Sequence, residues 1–181
     1  MRIQNIIQAV AVLAILFLSG AAIAEEMTLP ITSYAEIINR SDVRLLVNIP
    51  IPDEIEDSNL TFAELRFGII PRLAGDSILT INCHAVTSTW SPDNVGWNVP
   101  WLNPGGDFEP DEFTFFTTAS AENGEIQFDI TETIRSWLNG NRPNFGLIFI
   151  IPERISSRFE LDRLPDLPNG AIGFVRIVKS H

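Results

Sequence analysis

Thiols, imidazoles and ammonium groups are nearly missing from this sequence of 181 residues, which holds one cysteine, two histidines and one lysine. Cys83 alone cannot close an intrachain disulfide, so no disulfide framework holds the fold. Nor can it supply a multi-thiolate zinc site. Cys83 and His84 are neighbours on an expected strand, so they point to opposite faces and cannot chelate one metal together. Positive charge is scarce: 12 basic residues face 23 acidic ones, for a formal net charge of -11. That balance argues against nucleic acid, where affinity comes largely from basic groups meeting phosphates. Catalytic signatures are missing as well, with no G-x-S-x-G, H-E-x-x-H, P-loop or dinucleotide glycine pattern. Paired carboxylates for glycoside cleavage meet only in space, and 23 acids guarantee coincidental pairs. A hydrolase is therefore the lesser reading beside a non-catalytic protein.

The one long apolar run lies near the N-terminus. Ala9 to Leu18 is unbroken, Gly20 interrupts it, and Ala22-Ile23-Ala24 precedes Glu25-Glu26. This order predicts a secretory signal peptide over residues 1–24. The competing reading is a membrane anchor, but spanning takes roughly 20 apolar residues and this run is shorter. Leu18-Ser19-Gly20-Ala21 has alanine where a lipoprotein signal carries its cysteine. Removing residues 1–24 takes away Arg2 and no acid, so a single domain over 25–181 is more acidic still. The expectation is a secreted protein, extracellular, on the cell surface or periplasmic, with no membrane insertion of the mature chain.

Alternation then dominates. Leu45, Val47 and Ile49 face one way and Arg44 and Asn48 the other. Ala63, Leu65, Phe67 and Ile69 alternate with Glu64 and Arg66, and Leu79, Ile81, Cys83 and Ala85 share a face. Period-two runs of this length predict half-buried strands over 44–50, 61–70 and 77–86. Residues 147–151 are apolar throughout, as in a strand covered on both sides. Strands are also expected at 125–129, 171–178 and 113–119. Gly75-Asp76, Pro104-Gly105-Gly106-Asp107, Asn123-Gly124 and Asn169-Gly170 supply the turns. Ile130 to Asn139 reads as the one helix, capped by Asp129 with Glu132 completing a capping box. Its apolar face is Ile130, Ile134, Trp137 and Leu138, and Gly140 stops it. Many short strands with frequent turns predict an all-β antiparallel sandwich with one short helix.

Three motifs stand in order: Ala63-Glu64-Leu65-Arg66-Phe67; Trp90-Ser91-Pro92-Asp93-Asn94-Val95-Gly96-Trp97-Asn98-Val99-Pro100; and Phe128-Asp129-Ile130-Thr131, then Trp137-Leu138-Asn139-Gly140, then Asn144-Phe145-Gly146-Leu147. Together, over about residues 42–178, they resemble the DNRLRE (disaggregatase-related) domain, grouped with carbohydrate-binding module family ninety-six. The resemblance implies a jelly-roll sandwich in secreted or surface proteins of microbes. It also implies a non-catalytic role, with some members binding acidic polysaccharide such as alginate. Pro92 and Gly96 depart from the glutamate and threonine of that pattern, and Ala171-Ile172-Gly173-Phe174-Val175 departs from its last strand.

Sugar recognition commonly sets a flat aromatic face beside planar polar groups. Trp97, Trp101, Phe108 and Tyr34 are candidate platforms, with Arg135, Arg142 and Asn144 as hydrogen-bonding groups. The competing reading makes Trp90 and Trp97 core residues. Trp101, in a loop of Pro100, Leu102, Asn103 and Pro104, is then the better platform. The acidic balance repels polyanions, and Arg154, Arg158 and Arg163 are interleaved with Glu153, Glu160, Asp162 and Asp166. Neutral glycans are accordingly expected over alginate-type ligands. Asp107, Glu109, Asp111 and Glu112 read as an acidic loop whose oxygens suit structural calcium. The loop lacks EF-hand spacing, solvated acids are the favoured reading, and no other cofactor is expected. The leading expectation is a carbohydrate-binding module for a polysaccharide, and the alternative is a structural or adhesive surface domain with a protein partner.

Overall fold

A computed structural model describes residues 24–40, 42–69, 80–117, 125–150, 161–162, 168 and 170–180. Residues 1–23 of the expected signal, the turns at Gly75-Asp76 and Asn123-Gly124, Asn169, the segment with Arg154, Arg158 and Arg163, and His181 lie outside the described residues. The strands are β1 Ala24–Ile31, β2 Tyr34–Asn39, β3 Asp42–Val47, β4 Leu60–Ile69, β5 Thr80–Val86, β6 Phe108–Thr117, β7 Glu125–Asp129, β8 Leu147–Ile150, β9 Leu161–Asp162 and β10 Gly173–Ser180. The helix α1 spans Thr131–Leu138.

Two five-stranded sheets result, and every pairing is antiparallel. The first runs β1-β10-β4-β7 with β9 beside β4; the second runs β2-β3-β8-β5-β6. Setting β2 and β9 aside, the pairs are nested along the chain: β1 with β10, β3 with β8, β4 with β7 and β5 with β6. Successive nested pairs fall in alternate sheets, as in a long hairpin rolled up on itself. That is the jelly-roll arrangement of an all-β sandwich.

Side-chain alternation builds the core between the sheets. Leu45, Val47, Cys83, Leu147 and Phe149 of the second sheet meet Ala63, Leu65, Phe67, Phe128 and Val175 of the first. Phe149 is the hinge of this packing. Its ring lies edge-on to Phe67 at 5.2 Å between centroids and 5.1 Å from Phe128. Cys83 sits in the same layer as a free buried thiol, as its strand face predicts, and burial pushes its pKa up. It is chemically quiet there.

Leu147 to Ile150 answers to two environments. Leu147 and Phe149 enter the sandwich core, while Ile148 enters a second cluster with Ile37, Leu46, Val86 and Trp101 on the outer face of the same sheet. A strand covered on both faces should be apolar at every position, and here a loop, not a third sheet, covers the second face. Arg44 is therefore not a solvent-facing residue of β3, since it lies with Leu46 beneath that loop.

Three local expectations are corrected. β6 begins at Phe108, so Glu109, Asp111 and Glu112 stand on an edge strand and not in an acidic loop. Pro110 is tolerated there because an edge strand leaves half its donors unpaired. The strands β1 and β2 were not expected. Both lie at sheet edges. In β2 only Ile37 is buried, so it carries little alternating signal, whereas β1 does alternate, with Met27, Leu29 and Ile31 packed toward the core. The helix begins at Thr131, one residue later than expected; Asp129 Oδ1 does accept from Thr131 N at 3.0 Å, but Glu132 pairs with Arg135 at 3.5 Å, not in a capping box. The helix start is also fixed to β4: Ile130 N donates to Ala63 O, and Thr131 Oγ1 accepts from Ala63 N at 2.9 Å. Ile130, Ile134 and Trp137 are buried, as the helical spacing predicts. No helix among the described residues is long and apolar enough to cross a membrane.

Candidate functional site

The loop from Thr87 to Asp107 folds back as a lid over the outer face of the second sheet. Its order comes from one carboxylate. Asp107 Oδ2 accepts from Leu102 N at 2.8 Å and Ser88 Oγ at 2.9 Å; Oδ1 accepts from Asn103 N at 2.9 Å and Asn103 Nδ2 at 3.1 Å. Burial alone would raise the pKa of Asp107, but these four donors outweigh it and hold the carboxyl below its ordinary value. A charged acceptor with several donors makes the strong kind of hydrogen bond.

The tryptophans complete the lid. Trp101 Nε1 donates to Gly96 O at 2.8 Å, and Trp90 Nε1 donates to Phe145 O at 2.8 Å. Arg44 Nη1 donates to Gly105 O at 2.7 Å while its guanidinium lies 4.8 Å from the Trp97 ring centre and 5.7 Å from that of Phe108. A desolvated cation over an aromatic face is attractive, which ties the lid to β3. Gly105 and Gly106 have φ of +94° and +110°, and a Cβ at Gly106 would stand 2.8 Å from Ile148 Cδ1. Only glycine fits a positive φ pressed against the sheet.

This geometry redistributes the expected site residues. Trp101 is 7% exposed and packs inward, so it is a core residue of the lid and not a platform. Loop position had suggested exposure, but the Asp107 clamp folds Leu102 out and Trp101 in. Trp97 is half-buried under Arg44. Arg135 is occupied elsewhere: it donates to Asp57 O, to Asp57 Oδ1 at 2.8 Å and to Leu60 O, tying α1 to the start of β4. Asn144 is spent on the backbone, donating to Ile49 O at 2.8 Å and accepting from Gly146 N at 3.1 Å. Arg142 lines a groove of about 470 Å³ between α1 and β6, with Asp111, Thr114, Asp129, Glu132 and Ser136. Trp97 and Trp101 thus lie together in the lid, and Arg135, Arg142 and Asn144 lie in three other settings. Tyr34 is exposed on the edge strand β2. Of the acids considered for calcium, Asp107 already holds four protein donors, and Glu109 and Asp111 follow it on β6. Among the described residues no group of three His, Cys, Asp or Glu is placed to hold a metal ion.

Among the described residues, the lid sets aromatic edges beside both hydroxyl and amide groups, whereas a groove of about 400 Å³ beside α1 sets Trp137 next to the Asn144 amide with no hydroxyl in its lining. One groove of about 430 Å³ is lined by Thr87, Ser88, Leu102, Asn103, Asp107 and Phe108, among others. A second of about 290 Å³ is lined by Thr89, Trp90, Ser91, Asn94 and Pro100. Trp90 and Phe108 are both half-buried. Sequence reasoning assigned Trp90 to the core and passed over Thr87, Ser88, Thr89, Ser91, Asn94 and Asn103. The run Thr87-Ser88-Thr89-Trp90-Ser91, dense in hydroxyls around one indole, was the available signal.

The outer face of the first sheet is different. Arg176 pairs with Glu26 at 2.8 Å and stands 4.0 Å from Glu64; Arg66 pairs with Glu64 at 2.7 Å and Glu125 at 3.5 Å; Lys179 pairs with Glu25 at 3.2 Å. Each such pair is worth little stability by itself. Among the described residues, Arg66, Arg176 and Lys179 of this face each have a carboxylate partner.

His84 lies beneath the lid, buried, with Nδ1 2.9 Å from Glu109 O and its ring 4.8 Å from Phe108. Burial lowers its pKa and nearby Arg44 adds to this, against the opposing pull of the Glu109 carbonyl. A depressed histidine pKa means stability that is complete above the unfolded value, about 6.5, and is lost as pH falls through it. Melting temperature should therefore decline as pH drops below that value. His84→Gln should flatten this part of the profile, and an unchanged profile would assign the decline to other groups.

No protein-family model matches this chain, and no curated protein matches it.

Proposed function

We propose that this chain is a secreted, non-catalytic carbohydrate-binding module that holds an uncharged polysaccharide on its tryptophan lid. The observation that carries the reading is the placing of Trp90 and Phe108 beside hydroxyls and the Asn94 and Asn103 amides, in grooves whose linings contain no lysine or arginine. Indole and phenyl edges suit the C–H faces of sugar rings, and amides and hydroxyls suit their OH groups. A polyanion would find no cation there and would meet a protein of strongly acidic balance. The three motifs resembling the DNRLRE domain and the signal-like N-terminus agree with this role.

The test is retention of the protein on insoluble cellulose, chitin, xylan and mannan, with alginate and pectate gels as anionic controls. Retention by at least one neutral polymer is expected. Trp90→Ala should weaken it by about tenfold, the scale of one lost aromatic contact. Retention by alginate or pectate alone would overturn the reading. The second reading, an adhesive domain with a protein partner, is favoured by Leu102 and Val99, which are 89% and 55% exposed at the lid tip. Apolar side chains exposed next to one another are a mark of protein contacts. Leu102→Ser with Val99→Ser would then abolish partner capture and leave polysaccharide retention unchanged.

A further inference from the structure

We infer that the two lid grooves are adjoining subsites for a single linear chain of uncharged sugars, so that the lid discriminates by chain length. This inference rests on the carbohydrate reading above and goes further by fixing the form of the ligand. The two grooves have no lining residue in common, but the same two stretches of the lid line both. On one wall Thr87 and Ser88 line the first groove and Thr89, Trp90 and Ser91 line the second, so the boundary falls between bonded neighbours. On the other wall Leu102 and Asn103 line the first and Pro100 the second. Trp101 lies between these, with its side chain buried below.

Each groove also holds the same chemical set: one half-buried aromatic, Phe108 or Trp90, one amide, Asn103 or Asn94, and two hydroxyls. Ser88 Oγ and Asn103 Nδ2 each donate to Asp107, and Asn94 Nδ2 donates to Ser91 Oγ, so it is the amide oxygens and the second amide hydrogens, with the Thr87 and Thr89 hydroxyls, that face a ligand. A repeated set of contacts matches a ligand made of repeated units. The five residues from Thr87 to Ser91 reach at most about 14 Å even when fully extended, longer than one sugar ring and short enough for a brief oligomer. The single charge in either lining is Asp107, and four protein donors already occupy its oxygens. The lid is held before the ligand arrives by Asp107 and by the Trp90 and Trp101 hydrogen bonds. A site already ordered loses less on binding. Filling the second subsite by a unit linked to the first is then an intramolecular step, which raises affinity without any new kind of contact.

The test uses the oligosaccharides of whichever neutral polymer retains the protein, from monosaccharide upward, in calorimetric titrations of the full chain. Affinity should climb with each added unit and level off once both grooves are filled. Trp90→Ala and Phe108→Leu, the latter keeping an apolar group against His84, should each cost about tenfold with the longest oligomer. Each should also remove the dependence on length. Circular dichroism establishes that the sandwich is folded, and unchanged chemical shifts of the Leu102 and Asn103 backbone amides, which donate to Asp107, establish that the lid is in place in each variant. Equal affinity for monosaccharide and long oligomer, or a loss confined to one of the two variants, would show that one groove acts alone and would overturn the inference. Failure of every polymer to retain the wild-type protein would instead overturn the carbohydrate reading itself.

Discussion

Replacing Asp107 with alanine should lower the unfolding free energy by about 2–4 kcal/mol, a large effect for a loop residue. The substitution removes one carboxylate that serves four donors, two of them the backbone N–H groups of Leu102 and Asn103. Those groups lose a charged acceptor, and hydrogen bonds to charged groups are the strong kind. The loss should be local in character. The cluster between the sheets shares no residue with the cluster under the lid, so the sandwich should remain folded while Trp90 and Trp101 become accessible. Tryptophan fluorescence should shift to the red with the sheet signal in far-UV circular dichroism retained. Asp107→Asn adds a pH test. The wild-type carboxyl is depressed, so its stabilisation is complete above the ordinary carboxylate value, about 3.9, and is lost as pH falls through it. The asparagine variant should lack that acid-side loss. A variant with unchanged fluorescence and unchanged melting temperature would show that the lid does not depend on this clamp.

Truncating Phe149 should cost more, about 3–5 kcal/mol, and act on the whole domain. Its ring packs against both Phe67 and Phe128, so Phe149→Ala opens a cavity where the sheets meet. Its neighbour provides the contrast. Ile148 is fully buried as well, but against Trp101 on the opposite face. Ile148→Ala should cost about 2–4 kcal/mol and loosen the lid first. Hydrogen exchange separates the two. Phe149→Ala should speed exchange across β4, β5 and β8 together, and Ile148→Ala should speed it mainly over residues 87–107. Uniform acceleration in both variants would mean that lid and sandwich form one cooperative unit.

These two neighbours also mark how far the fold was legible in the sequence. Alternation in β3, β4 and β5 follows from one face meeting a core, and the chain shows it plainly. The unbroken apolar run of β8 implied cover on both sides, but not its source. A lid made from irregular backbone has no period, so the chain alone could not say that residues 87–107 supply that cover. The edge strand β2 failed for a related reason. With only Ile37 buried, β2 leaves little pattern for selection on packing to write, whereas β1 does alternate through Met27, Leu29 and Ile31 but begins where the expected signal segment ends.

The candidate site was legible only in part. Trp101 was misplaced because turn-rich surroundings suggested exposure, whereas Asp107, four to five residues on, pins the backbone of Leu102 and Asn103 and turns the indole inward. Arg135 and Asn144 were sound as hydrogen-bonding groups, but their partners proved to be backbone carbonyls of this chain. Polar side chains that cap or staple loops look the same in sequence as ones that await a ligand. The reverse holds for Trp90, whose place in the motif from Trp90 to Pro100 suggested the core. Its indole nitrogen is indeed tied to Phe145, yet the residue also lines the smaller groove.

The most direct test of the lid as the sugar site is a chemical-shift map of the isotopically labelled protein, titrated with oligosaccharides of the retained neutral polymer. The account predicts shifts for the Trp90 indole, the Asn94 and Asn103 side-chain amides and the backbone of residues 87–91, with Trp137 and Arg135 unmoved. Shifts centred on Arg142, Glu132 and Asp129 in the groove beside α1, with the lid silent, would contradict it.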